Sequence, residues 1–187
     1  MKLASLLLLL ALPLSAQNFE AGVNISRQSY TSNTAPGFSG HPDPVVFDFE
    51  SKTVVAGRIG YSLVNIGPTV FQLSAAYQPK TDTELKPNGV TVPTKLGSEY
   101  WGVGAMFQFQ ALVAFGAGID YRFEKTTMVN IFTDTHSFNR PWARVNAGYA
   151  FPAPVVKPFI SIEVAAPLTK ENHSPELQVG IYAGLRF

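Results

Sequence analysis

Leu177-Gln178-Val179-Gly180-Ile181-Tyr182-Ala183-Gly184-Leu185-Arg186-Phe187 places an apolar side chain at every second position. Gln178, Gly180, Tyr182, Gly184 and Arg186 fall between them. A period of two is that of a β-strand, here with one greasy face and one crowded polar, glycine-rich face.

The same alternation recurs upstream. Asn18 to Ile25 sets Phe19, Ala21, Val23 and Ile25 on one face, and a stretch from about Val45 to Val64 does so with Phe47, Phe49, Val55, Ile59, Tyr61 and Leu63. Thr69–Gln78, Glu99–Phe109, Leu112–Glu124 and Pro141–Phe151 follow, each with its apolar residues at odd positions. Lys157–Leu168 switches to Ile160, Ile162, Val164, Ala166 and Leu168, and Pro158 with inward Phe159 disturbs its start. Eight such segments, an even number, suit a closed antiparallel barrel.

Connection lengths give the topology. Asn65-Ile66-Gly67-Pro68, Gln110-Ala111 and Pro152-Ala153-Pro154-Val155-Val156 are short turns. Between them lie Ser26 to Pro44, Pro79 to Ser98, Lys125 to Arg140 and the shorter Thr169 to Pro175, which read as polar loops. Short turns at one end and long loops at the other is the plan of a transmembrane barrel whose turns face the periplasm.

The start of the chain agrees with that address. Met1-Lys2, the apolar Leu3–Leu12 and the small residues Ser15-Ala16 have the layout of a secretory signal peptide, with cleavage expected after Ala16. Residues 1–16 are therefore read as leader and 17–187 as one barrel domain. The apolar stretch is shorter than the ~20 residues that a spanning helix needs. The chain contains no cysteine, which removes disulfides and a cysteine-linked lipid anchor. A formal net charge of +1 without a basic cluster argues against nucleic acid.

Alternation alone does not say which face is outside. In a soluble lipocalin-like barrel the apolar residues would point inward. Here the second face is built of Gly22, Asn24, Gly60, Ser62, Ser74, Ala76, Gly102, Gly104, Gly116, Gly118, Asn146 and Gly148, almost without lysine. Such small side chains suit a narrow interior. The apolar face is also banded. Aromatics lie near the turn ends (Phe19, Tyr61, Phe71, Phe107, Phe109, Phe115, Tyr149, Phe151, Phe187) and near the loop ends (Phe47, Phe49, Tyr77, Trp101, Tyr121, Phe123). Small aliphatics sit between, as a bilayer demands. The expected fold is thus all-β: an eight-stranded antiparallel up-and-down transmembrane β-barrel.

An eight-stranded interior is filled by side chains and is too narrow for an aqueous channel. Its expected charged members are Glu20, Arg58, Asp120, Arg122, Glu124, Arg144, Glu163 and Arg186. Buried ions need partners, since stripping one of water costs several kcal/mol or more. Glu20 and Arg186 stand at matching heights on the first and last strands and are expected to help close the barrel.

From the leader through the alternating strands to Gly180–Phe187, the chain resembles the small eight-stranded outer-membrane proteins, the group typified by outer membrane protein X and the barrel half of outer membrane protein A. In that group a terminal aromatic preceded by alternate apolar residues is the signal read by the barrel-assembly machinery. Ile181, Ala183, Leu185 and Phe187 occupy those positions. The resemblance implies an outer-membrane location with both termini periplasmic, and a monomer surrounded by lipid and lipopolysaccharide. No cell-wall-binding domain is expected after the barrel.

Some outer-membrane barrels modify lipid A, and Asp134, His136 and Ser137 place an acid, a base and a hydroxyl within four positions. Adjacent residues on an extended chain point opposite ways, which separates His136 from Ser137. The segment also lacks the His-x-Ser-Asn order of the lipid A deacylases. His41, His136 and His173 are far apart in sequence and suggest no metal site. Gly102-x-Gly104 and Gly116-x-Gly118 precede no helix and are not phosphate cradles. The reading is a non-enzymatic barrel without catalytic residues, cofactor or metal. Its role would be structural or surface-binding through its loops, not that of a large pore. Tyr30 and Phe38 in the first loop, and Met128, Ile131, Phe132 and Phe138 in the third, are more apolar than water alone requires. Ile131 and Phe132 are the expected contacts for an extracellular partner.

Overall fold

The computed structural model describes residues 18–30, 33–35, 45–87, 95–111, 113–129, 133–171 and 174–187. The expected leader and its cleavage after Ala16 lie outside them, as do His41, His173, Phe38, Ile131 and Phe132.

The described strands are β1 (Phe19–Tyr30), β2 (Asn33–Ala35), β3 (Val45–Phe49), β4 (Lys52–Ile66), β5 (Thr69–Pro87), β6 (Lys95–Gln110), β7 (Val113–Val129), β8 (Thr133–Ala150), β9 (Lys157–Pro167) and β10 (Pro175–Arg186). β1 and β4 through β10 close an antiparallel barrel in which each strand pairs with its neighbours in that order, and β10 returns to β1. The closing ladder runs from Glu20↔Arg186 to Tyr30↔Pro175. At its foot Phe187 N donates to Phe19 O at 2.8 Å. The eight-stranded antiparallel fold expected from the alternation is borne out.

The side chains are distributed inside-out relative to a soluble protein. Val103 is 49 % and Ile181 50 % exposed on the outer surface, whereas Arg144 is 2 % exposed in the interior. That orientation is incompatible with a lipocalin-like barrel. Two aromatic bands flank the apolar belt. Phe71 and Phe107 meet at 4.8 Å near the turns, and Trp101 stacks on Phe123 at 3.9 Å near the loops. The turn between β4 and β5 depends on Gly67, whose φ of 58° is left-handed and favours glycine.

Four boundaries differ from expectation. The stretch expected as one strand from Val45 to Val64 is interrupted at Glu50-Ser51, giving β3 and β4. β3 leans onto the far end of β5, pairing Phe47↔Pro87 and Phe49↔Leu85. Phe49 consequently points inward, 7 % exposed, rather than into the outer aromatic band. β1 continues past Ile25 to Tyr30, so the residues from Ser26 to Tyr30 are strand and not loop. Finally, much of the two longest expected loops is hairpin: β5 and β6 pair up to Glu84↔Lys95, and β7 and β8 up to Val129↔Thr133. Thr126, Thr127 and Thr135 supply β-propensity there after the apolar alternation has stopped.

The interior has little spare room. A Cβ on Gly22 would lie 2.6 Å from the Ala183 carbonyl oxygen and 2.7 Å from the Tyr182 ring. Gly22→Ala should therefore lower the unfolding free energy in detergent by about 1–3 kcal/mol, the usual cost of overpacking. A urea titration followed by tryptophan fluorescence checks this, and an unchanged midpoint would contradict the packed interior.

Candidate functional site

β4, β7, β8 and β9 direct long charged side chains from facing walls into the middle of the barrel. Glu163 on β9 accepts from Arg58 Nη1 at 2.5 Å and Nη2 at 2.8 Å, from Asn24 Nδ2 at 3.1 Å and from Arg144 Nη1 at 3.4 Å. Arg144 also pairs with Asp120 at 3.1 Å, and Arg122 stands 3.7 Å from the same carboxylate. Nearer the turns, Arg186 Nε donates to Glu20 Oε2 at 2.7 Å across the β1–β10 seam. All eight charged residues singled out in the sequence lie in this interior.

A second cluster lies towards the loops. Arg140 grips Glu124 with two bonds of 2.8 Å, and Trp142 Nε1 donates to the same carboxylate at 2.6 Å. Arg140 closes the expected Lys125–Arg140 loop, yet it lies on β8 and is 1 % exposed. It shares its parity with inward Trp142 and Arg144, which is the signal that could have found it. With Arg140 included, the interior holds five guanidinium groups against four carboxylates among the described residues. Arg122 shares Asp120 with Arg144, and its guanidinium lies 4.0 Å from the Trp142 ring and 4.4 Å from that of Tyr100. Cation–π attraction in a dry site offsets part of its desolvation. Among the described residues, cavities of about 10 Å³ lie beside Glu20 and Arg186 and beside Arg122 and Glu124, each with room for about one water.

Above the ions a small apolar cap of Tyr30, Phe49 and Leu96, with Met128 against it, lies under β3. The Tyr30 hydroxyl meets Ser98 Oγ at 3.1 Å, and burial raises its pKa. Lys52 donates to the Thr81 carbonyl, and burial pulls its ammonium down to about 8.

The outermost part of the barrel is lopsided. β5, β6, β7 and β8 continue well beyond the aromatic band, whereas β8 and β9 stop pairing at Trp142↔Pro167. From Thr133 to Asn139, β8 has β7 on one side and no strand on the other among the described residues. His136 is exposed on this projection and stacks on Phe138 at 5.3 Å. Asp134, His136 and Ser137 follow one another along an extended strand, so His136 and Ser137 project to opposite faces. At the other end of the chain Ile181, Ala183, Leu185 and Phe187 face outward on β10 or just past it. Among the described residues no group of three acids and histidines is placed to hold a metal.

Glu163→Gln should strand Arg58 and lower stability by about 3–5 kcal/mol, as for one partner of a buried pair. Lys125→Gln, which breaks the solvent-exposed pair with Glu99, should change it by less than about 1 kcal/mol. Equal effects in paired urea titrations would refute the difference between interior and surface charge.

No family model and no curated protein matches this sequence. Among solved structures, the chain is similar to Ail, the attachment invasion locus protein of Yersinia pestis, with a TM-score of 0.52 at 12 % identity. That superposition covers 92 % of this chain and 99 % of the other. A structure of Ail in complex with the heparin analogue sucrose octasulfate gives a TM-score of 0.47 at 18 % identity, covering 91 % and 97 %. The shared feature is the fold: this chain is built as a closed eight-stranded antiparallel β-barrel.

Proposed function

We propose that the protein is a surface-interaction barrel of the outer membrane, standing with its short turns and both termini at the periplasm. It is expected to reach that membrane through the leader at 1–16 and the outward signal residues Ile181, Ala183, Leu185 and Phe187, and to act as a monomer. The observation that carries the reading is the outer edge of β8, which has no paired strand on one side among the described residues. Its seven residues, Thr133 to Asn139, span roughly 23 Å at ~3.3 Å per residue. Such an edge accepts an extended peptide as an added strand, main-chain bonds supplying affinity and alternate side chains specificity. Thr135, Ser137 and Asn139 keep it polar, which suits an exposed docking strand better than a hydrophobic one that would aggregate. Ile131 and Phe132, which fall between β7 and β8 in sequence, are the proposed apolar contacts. The filled interior supports a role other than that of a large pore.

The test shortens the edge and its tip and keeps the barrel. In one variant Asn-Gly replaces residues 127–135, joining Thr126 to His136, which already face each other across β7 and β8. Seven-residue peptides are panned against the full-length protein in nanodiscs. The expected result is enrichment of strand-forming peptides that bind the shortened variant at least tenfold more weakly, while both proteins keep their heat-dependent shift on gels. Equal binding to both proteins, or no enrichment, would refute the edge as the docking element.

A further inference from the structure

The way the β8 edge points is fixed where its pairing with β9 ends. Leu168 N donates to Pro141 O at 2.8 Å, so Pro141 turns its carbonyl towards the β9 side. Backbone groups of a strand change side with each residue, and the β7–β8 ladder runs unbroken from Val113↔Tyr149 to Val129↔Thr133. Asn139, Ser137, Thr135 and Thr133 therefore aim N–H and C=O to the side where, among the described residues, no strand follows. His136 points the other way: its carbonyl accepts from Thr126 Oγ1 of β7 at 3.5 Å.

This edge is complementary to itself. Asp134 and His136 lie on one face of β8, that of inward Arg140 and Trp142, and Thr135 and Ser137 lie on the other. Asp134 and His136 are both exposed, and neither has an ion-pair partner among the described residues. Laid antiparallel against a second copy with Thr135 opposite Thr135, the edge sets Asp134 opposite His136 and His136 opposite Asp134. Ser137 then meets Thr133. The neighbouring registers fit worse. Centred on His136, the ladder sets imidazole against imidazole; centred on Asp134, it sets carboxylate against carboxylate, and like charges directly opposite repel.

Two such edges are related by a two-fold axis normal to the sheet, the arrangement in which one patch serves both partners. The normal to a barrel wall lies in the plane of the membrane. Half a turn about it inverts the second barrel, which therefore stands in a facing membrane and not beside the first.

We propose that the β8 edge joins two copies of this protein head to head across apposed outer membranes, through an antiparallel ladder centred on Thr135. The proposal rests on the reading of β8 as a docking edge and names its occupant. An exposed acid–base pair contributes little by itself, and the ladder is short. Many copies on each surface supply the avidity that one contact lacks.

Full-length protein is reconstituted in phosphatidylcholine vesicles, and clustering is followed by light scattering. Vesicles carrying the parent protein should cluster, and those carrying the variant shortened at residues 127–135 should cluster at least fivefold less. His136→Asp, which sets carboxylate against carboxylate at both pairs, should reduce clustering at least fivefold. Adding Asp134→His restores acid opposite base and should recover the parent level within twofold. Because the chain has no cysteine, Thr135→Cys reports the axis. Facing Cα atoms of a hydrogen-bonded pair lie ~5.5 Å apart, within disulfide reach. Oxidation should give covalent dimers with Thr135→Cys and not with Ser137→Cys, whose two copies would be offset by roughly 13 Å along the strand. The heat-dependent gel shift of each variant reports the folded barrel.

No clustering by the parent, clustering that survives shortening, no rescue by the exchanged pair, or equal cross-linking by both cysteines would overturn the homotypic contact. If strand-forming peptides still bind the β8 edge in that event, the docking reading stands without it. If they do not, both fall.

Discussion

Closure of the ladder at β1 against β10 is the constraint on which the rest depends, because hydrocarbon offers the backbone no hydrogen bonds. Once the edges meet at Glu20↔Arg186, the outer face must be apolar and the inner face must fit a narrow tube. Glycine at Gly22 and the bidentate grip of Arg58 on Glu163 both follow from that geometry. The first makes room for Tyr182; the second allows ions to be buried where they have no water.

The interior charges are costly groups that hold one another in place. A buried pair gains little over well-packed apolar residues, yet losing one member leaves a charge with nowhere to go. The shared carboxylates of Asp120 and Glu163 join β4, β7, β8 and β9, so four strands are tied through two acids. The surplus guanidinium, Arg122, is accommodated against Tyr100 and Trp142.

Alternation was legible wherever one face met lipid, so strand identity and orientation could be read within the belt. Beyond the aromatic band both faces meet water and that signal vanishes. The Thr-rich tops of β7 and β8 therefore read as loop, and Arg140 was lost with them. Phe49 kept its odd parity in sequence, but the break at Glu50-Ser51 reset the phase and turned it inward. The end of the β4–β5 ladder at Gly57↔Tyr77 was not readable either, since the alternation in β4 runs on through Val55 and Thr53. Lone glycines such as Gly57 give no hint of which way they face.

What emerges is a filled barrel in which, among the described residues, the outer part of β8 has no strand on one side. That feature rests on the inside-out arrangement of the wall. The most direct measurement is a nitroxide scan along β6 from Trp101 to Phe109 in a bilayer, reading collision with oxygen, which favours lipid, and with a polar nickel chelate. Oxygen accessibility should peak at Trp101, Val103, Ala105, Phe107 and Phe109 and fall at the residues between. Peaks at Gly102, Gly104, Met106 and Gln108 instead, or no period of two, would contradict the account.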